Sequence, residues 1–264
     1  MNATPKFSII TVVKDDAEGF AGSLESLLAQ TFQDLELIVI DSSADQSSIP
    51  DQLQSIHDAA RIVVKYQWCP PTGIYPAMNL GLSAAHGEFA YFLNAGDQLK
   101  DPQVLARVAQ KLSDRTATWL FGPIEIVDLA RGTSTITPTW DYHQEQQQHF
   151  ARGFFPSHQG TFSSVRALRD LGGFDPQFLI SADYALFLKL SLLSDPINVD
   201  FPIAQFMAGG ASTDKWRESF AEFHIARCLI LKPSGLDAVR EKFWTQWHFS
   251  RVWIYRELIA RARR

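Results

Sequence analysis

Cysteine is scarce: the 264-residue chain holds two, Cys69 and Cys228, far apart and outside the paired Cys and His spacing of a zinc site. That excludes a disulfide framework and a structural zinc finger, and it points to a reducing compartment with both thiols buried. Long apolar runs are missing as well. No segment approaches the roughly 20 apolar residues that cross a bilayer. The start, MNATPKFSIITVVKDD, has one early Lys6 and a short apolar stretch, a poor signal peptide that reads instead as a first strand. The expected location is cytosolic, or on a membrane surface approached from the cytosol. Internal repeats and a disorder-type composition are absent too. At 46% hydrophobic and 20% charged, the chain is globular material for one large α/β domain with an appendage.

Positive charge is short in the body of the chain. The net charge is -5, yet the segment from Val239 to Arg264 carries Arg240, Lys242, Arg251, Arg256, Arg261, Arg263 and Arg264 against Glu241 and Glu257, a local +5. An acidic body offers no basic track for a phosphate backbone, which argues against nucleic acid as a partner. The basic tail also carries Phe243, Trp247, Ser250, Ile254 and Leu258 at near-helical spacing, with Trp244 and Trp253 beside them. Such a helix can lie among anionic headgroups of a membrane. It can equally pack on the rest of the chain or on a second copy in a homodimer.

Along the first half, apolar runs alternate with helical patterns. Strands are predicted at Phe7 to Val13, Leu35 to Ile40, Arg61 to Tyr66 and Glu88 to Leu93. The intervening helices are Phe20 to Leu28, with Phe20, Leu24, Leu27 and Leu28 on one stripe behind Asp15 and Asp16 as caps, then Ser48 to Ala59, Tyr75 to Ala85 with Gly87 closing it, and Pro102 to Leu112. The alternation predicts a parallel sheet with right-handed crossovers. Further on come a strand pair around Gly122-Pro123, a polar connection from Thr133 to His149, and a helix from Ser181 to Leu193.

Two of these strands run into carboxylates. Leu35 to Ile40 ends in Asp41-Ser42-Ser43-Ala44-Asp45, and Tyr91-Phe92-Leu93 breaks into Asn94-Ala95-Gly96-Asp97. Strand ends of an open α/β sheet share one rim, where ligands bind. Acidic groups gathered there suit a hard divalent cation and, through it, a phosphate.

The ordered set Ser8-Ile9-Ile10-Thr11-Val12-Val13, Ser26 to Phe32, Ile38 to Asp45, Gly73-Ile74-Tyr75, Ala77-Met78-Asn79, Gly81, Gly87-Glu88 and Phe92 to Asp97 resembles glycosyltransferase family 2, an inverting, metal-dependent group with a GT-A fold. The likeness continues through His158-Gln159, Gly172 to Asp175, Ala182-Asp183-Tyr184 and Met207 to Ser212. Within the family the chain most resembles bacterial enzymes of the colanic-acid fucosyltransferase type, which build exopolysaccharide and O-antigen units. The resemblance implies a Rossmann-like, mostly parallel sheet flanked by helices over residues 1–213, with a nucleotide-binding half at about 1–100 and an acceptor-side half at about 101–213. A helical, basic and aromatic appendage at 214–264 lies outside it.

The same resemblance implies a nucleoside-diphosphate sugar donor, Mn²⁺ or Mg²⁺, and a glycan or polyprenyl-linked acceptor. Asp97 would hold the metal, with Asn94 as the neighbouring polar group. Asp41 and Asp45 would contact base and ribose, and Asp45 could instead cap the next helix. Thr11 and Val13 would offer backbone groups to the base. Gly73 and Asn79 would face the nucleotide, unless Asn79 satisfies a core polar group. His158 and Gln159 would bond donor hydroxyls, unless His158 is a core residue. Asp183 would be the general base, or an N-cap. Gly209 to Ser212 would be a lid over the diphosphate or a plain loop.

The chain departs from close relatives at Gly96, where a preceding acid is usual, and at Pro71, Pro76 and Leu80. These departures leave the donor sugar open. Two rivals follow: a nucleotidyltransferase, which would want a Gly-rich basic loop where this chain has Lys14-Asp15-Asp16, and a sugar-nucleotide or glycan-binding module with a decayed metal site.

Overall fold

A computed structural model describes residues 4–57, 62–113, 117–128, 131–139, 142, 149–207 and 215–262. Strand β1 (Phe7–Val13) is buried at every position, as its continuous apolar run demands of a strand covered on both faces. Asp16 caps α1 (Ala17–Leu28) by accepting the Gly19 amide. Strand β2 (Leu35–Asp41), α2 (Ser48–His57), β3 (Val63–Trp68), α3 (Ile74–Ala84) and β4 (Phe89–Phe92) complete the first half. A short β5 (Gln98–Leu99) and α4 (Val104–Lys111) follow, then β6 (Trp119–Phe121), β7 (Ile124–Asp128) and β8 (Thr133–Ile136). The rest is a 3-10 turn at His158–Gly160, β9 (Thr161–Ser164), α5 (Val165–Asp170), α6 (Ala182–Leu193), β10 (Ile197–Asn198), β11 (Ala204–Met207), α7 (Trp216–Leu231) and α8 (Gly235–Ala262).

Seven strands form the main sheet in the order β10-β6-β9-β4-β1-β2-β3. Strands β3, β2, β1 and β4 are mutually parallel, in register Val13 opposite Asp41 and Asp41 opposite Trp68, while β9 runs antiparallel between β4 and β6. The period of two along β1 sends Ile10 and Val12 to one hydrophobic cluster and Phe7, Ile9 and Val13 to another on the opposite face. The architecture is thus α/β with helices on both faces. A second, four-stranded sheet, β5-β11-β7-β8, stands beside it, and Gly122-Pro123 is where the chain leaves the main sheet for this one.

Several predicted details change. Leu28 is 40% exposed, so the α1 stripe consists of Phe20, Leu24 and Leu27. Gly87 does not cap α3, which ends on an extended Ala85. A Cβ on Gly87 would sit 2.6 Å from the Ser8 amide nitrogen, so its lack of a side chain lets the entry to β4 lie against β1. The polar connection begins as an exposed strand, β8, paired antiparallel with β7. Its Gln144 to Gln148 run and the Gly209 to Ser212 segment lie outside the described residues. Cys228 does have a histidine neighbour: its Sγ is 3.7 Å from Nε2 of His224.

The appendage is helical and packs on the body. Phe223 and Ala226 of α7 belong to the same core cluster as Tyr184 and Leu188 of α6. Among the described residues no helix is long and apolar enough to cross a membrane.

Candidate active site

The parallel strands β1, β2, β3 and β4 all end on one rim. The turns that follow are wired to one another: the Ser42 amide donates to the Val13 carbonyl, the Cys69 amide to the Asp41 carbonyl, and the Ala95 amide to the Val12 carbonyl. Asp15, at φ 53°, accepts the Ala44 amide and donates its own to Ser43 Oγ. It therefore braces the turn after β1 against the turn after β2, leaving the capping of α1 to Asp16.

Asp41 is fully buried at this rim, one oxygen on the Ser43 amide and the other 2.9 Å from the Tyr66 hydroxyl. Burial, then the Asp41 carboxylate, push the Tyr66 phenol up to about 12, so it donates to Asp41 throughout the ordinary pH range. Asp45 is turned to its local backbone: Oδ1 accepts the Ser47 amide and hydroxyl in an Asx turn that leads into α2, and the Ser47 amide leads the bonds that hold its carboxyl below the usual range. Thr11 lies inside the β1–β2 ladder opposite Val39, and the Val13 carbonyl is taken by Ser42.

Asn79 bonds backbone at both ends of its side-chain amide. Its Nδ2 donates to the Phe174 carbonyl at 2.7 Å and its Oδ1 accepts the Phe174 amide at 2.9 Å, so both ends clamp the turn after Gly172-Gly173. Gly73, exposed and at φ 126°, is the residue before α3 and starts that helix at the rim.

The centre of the site forms where β4 ends. Gly96, at φ 92°, turns the chain so that Asn94 and Asp97 are both buried. Ser23 of α1 pins that turn, donating to the Asn94 carbonyl and accepting the Gly96 amide. From the other side His158 brings its Nε2 within 3.2 Å of Asn94 Nδ2, while its Nδ1 lies 3.6 Å from Asp183 Oδ2. Asp183 stands in the first turn of α6, behind Ser181 as the N-cap residue. Its Oδ1 accepts the Tyr184 amide at 2.8 Å and the Tyr75 hydroxyl at 3.3 Å. Asn94, Asp97, His158, Gln159 and Asp183 are thus gathered in one place.

Three contributors escaped the sequence reading. Tyr75 sits on α3 with the spacing of a core residue, yet its hydroxyl serves Ile180 and Asp183, and burial followed by the Asp183 charge raises its pKa far above the usual phenol value. Ser23 lies on α1, buried against the turn after β4. Tyr91 hides mid-strand but donates to the Gln159 carbonyl, holding the 3-10 turn that carries His158.

Electrostatics single out Asp97. Burial drives its carboxyl up to about 6, against the opposing pull of His158 and a hydrogen bond from the Gln159 side chain. Beside it, Asn94 Oδ1 is buried with no hydrogen-bond partner. A carboxylate costly to ionise without a counter-charge and an orphaned amide oxygen are the donor types that a hard cation such as Mg²⁺ or Mn²⁺ takes, with phosphate and water completing its sphere. Among the described residues no three His, Cys, Asp or Glu side chains group as a metal cage. The donors present therefore fit a cation shared with a bound phosphate.

Comparison with known proteins supplies the family. The model for glycosyl transferase family 2 matches residues 8–170. An uncharacterized glycosyltransferase of Mycobacterium tuberculosis is 26% identical over 219 residues, covering 81% of this chain and 80% of that one. Among solved structures, S. aureus TarS 1-349 in complex with UDP superposes with a TM-score of 0.66 at 17% identity, covering 93% of this chain and 71% of that one. Against the longer TarS chain the match spans 40% of the partner. The mannosyltransferase PcManGT from Pyrobaculum calidifontis, in complex with GDP-Man and Mn²⁺, gives a TM-score of 0.63 at 16% identity, over 89% of this chain and 66% of that one. At these identities the structures establish the shared GT-A-like fold.

Proposed function

The chain belongs to glycosyl transferase family 2, and on that premise we propose that this glycosyltransferase moves a sugar, with inversion, from a nucleoside diphosphate to a hydroxyl of a cell-surface glycan acceptor, lipid-linked during assembly. The observation that carries the reading is the convergence of Asp97 and Asp183 on His158, which stands between Asn94 and Asp183. The UDP complex of TarS and the GDP-Man and Mn²⁺ complex of PcManGT support a nucleotide-sugar donor and a divalent cation.

In this reading the base and ribose lie over the ends of β1 and β2, near Asp41. Asp97, with Asn94 Oδ1 beside it, would hold the cation, which balances the charge of the departing diphosphate. The acceptor oxygen forms its bond to the anomeric carbon as the carbon–oxygen bond to the diphosphate breaks. Its proton passes to Asp183. Tyr75 and the Tyr184 amide fix one oxygen of that carboxylate and leave Oδ2 as the accepting atom. His158 and Gln159 supply donors for sugar hydroxyls.

Asp183→Asn tests the assignment, since it keeps the shape and the bonds to Oδ1 but not the basicity. Turnover should fall on the order of 10²-fold or more with donor affinity retained. Equal losses in kcat and donor affinity would instead make Asp183 a structural residue, and a wild-type protein with no metal-dependent donor hydrolysis would favour a binding module.

The proposal includes a membrane surface as partner. On α8, Phe243, Trp247 and Ile254 are exposed, at 62%, 51% and 49%, on the side away from the body, with Arg240 and Arg251 nearby. Deleting Lys242 onward would also strip Thr245 and the buried His248 from the body, so substitution is the cleaner test. Phe243→Ser with Trp247→Ser should abolish co-sedimentation with anionic vesicles at low salt and spare donor hydrolysis. Wild-type protein that stays in the supernatant would end this part of the proposal.

A further inference from the structure

A cavity of about 830 Å³ lies away from the catalytic rim, between α6, the turn at Phe150 to Arg152, the end of α7 and the first half of α8. Its volume is in the range that holds a small-molecule ligand. Leu188, the wall residue on α6 closest in sequence to Asp183, is five positions beyond it, about 7.5 Å along the axis at 1.5 Å per residue, and the rest of that wall lies farther on.

The walls have two chemistries. One side is apolar: Phe150, Leu188, Leu192, Leu231 and Trp244. Leu192, Leu231 and Trp244 are 60%, 45% and 41% exposed, so this wall runs out to the surface as an uncovered apolar strip. The other side is basic, with Arg152, Arg227 and Arg240 against Asp237 and Glu241. Glu241 is committed to Arg227 at 2.7 Å, and Asp237 meets Arg240 only at 3.9 Å in open solvent, where such a pair is weak. Arg251, Arg152 and Arg227 lie close enough to the enclosed His248 to add to the burial that depresses its pKa.

A neutral apolar ligand would leave the basic side unused, and a free anion would leave the apolar wall wet. We propose that the cavity binds an amphiphile carrying a phosphate head on a linear apolar chain, the head meeting Arg152, Arg240 and His248 and the chain following Leu188, Leu192 and Trp244 to the surface. Nothing in the transfer reaction requires this site, and it stands whether or not the lipid is the acceptor.

Farnesyl phosphate, below its micelle concentration and without donor or metal, is the probe, read by tryptophan fluorescence and by the His248 ring signals in NMR. Binding should be saturable and at least about tenfold tighter than that of farnesol or inorganic phosphate, because only the phosphate-bearing chain satisfies both walls. Leu192→Glu, at an exposed position, puts a like charge beside the chain path and should weaken binding about tenfold while leaving metal-dependent donor hydrolysis unchanged. Arg240→Gln should weaken it less, and more so at low salt. Equal binding of inorganic phosphate would reduce the site to one for a free anion, and affinity unaltered by both substitutions would overturn the assignment.

Discussion

At the level of single residues, the burial of Asp97 at the proposed cation position carries a stability cost. Burial holds this carboxyl near 6 despite His158 and the Gln159 hydrogen bond, whereas in the unfolded chain it titrates near 4. The metal-free native state therefore binds the proton more tightly than the unfolded state, so this group's contribution to stability falls as pH rises from about 4 through 6 and stays low above that. Asp97→Asn removes the charge. In metal-free protein it should raise the melting temperature at pH 7.5 by a few degrees and leave it little changed at pH 4, while abolishing the strengthening of nucleotide binding by Mn²⁺. Differential scanning calorimetry at the two pH values, with titration calorimetry for the nucleotide, checks both halves. An equal stabilisation at both pH values would mean that charge burial is not the cause. That Asp97 and Asp41 share a rim was legible, because each follows a strand made almost wholly of apolar residues, with Glu36 the one break in β2. The bond from Tyr75 to Asp183 was not, since 108 positions separate them and no local pattern encodes the meeting of α3 with α6.

Among elements, β1, β2 and β4 of the parallel half could be read from the sequence because strands buried on both faces leave near-continuous apolar runs, whereas β3, at the sheet edge, is largely exposed. The four-stranded sheet could not: β5 has two residues, and β8, reading Thr-Ser-Thr-Ile, is exposed throughout. Short exposed strands carry no periodicity, so their pairing is decided by tertiary contact. Another tie invisible in the pattern is Glu36, an acid in the middle of apolar β2. Its carboxylate collects Lys65 from β3, Ser8 from β1, and the His86 and Gly87 amides ahead of β4. Burial pushes its pKa up, but the bonds from Lys65, Ser8 and His86 prevail and the net shift is downward. A lowered native pKa means that its stabilisation is complete above the unfolded value near 4.5 and disappears as pH falls through the native one. Glu36→Gln should therefore cost about 2–3 kcal/mol in urea melts at pH 7, through the loss of a charged acceptor shared by several donors. The gap between mutant and wild type should close in acid. A gap independent of pH would assign the loss to packing alone.

For the whole molecule, the question is whether the C-terminal helices belong to the body or merely follow it. The sequence left this open, because aromatic residues lie all around α8 and a helix apolar on several sides does not declare which one docks. The docking is carried by Arg227 of α7, whose side chain is 4% exposed. It donates to Glu241 and Thr245 of α8 and to the Tyr184 hydroxyl of α6, and it reaches the Phe150 carbonyl. One guanidinium thus joins the appendage to the helix that carries Asp183. Removing it takes the charge partner from the half-buried Glu241 carboxylate, which keeps Thr245 and His224, and leaves the Tyr184 hydroxyl on the Phe150 carbonyl alone, so Arg227→Ala should cost about 3 kcal/mol and loosen α8. Arg227→Met with Glu241→Leu removes both charges and should recover much of that loss, since replacing a buried pair by apolar residues of similar volume is often near neutral. Urea denaturation of the two variants, with hydrogen exchange along α8, tests this. The single change should expose the amides of α8 and slow turnover through the Tyr184 end of α6, and the double change should restore both. A single mutant as stable as wild type would mean that α8 is attached by apolar contact alone and that the Asp183 helix is insulated from it.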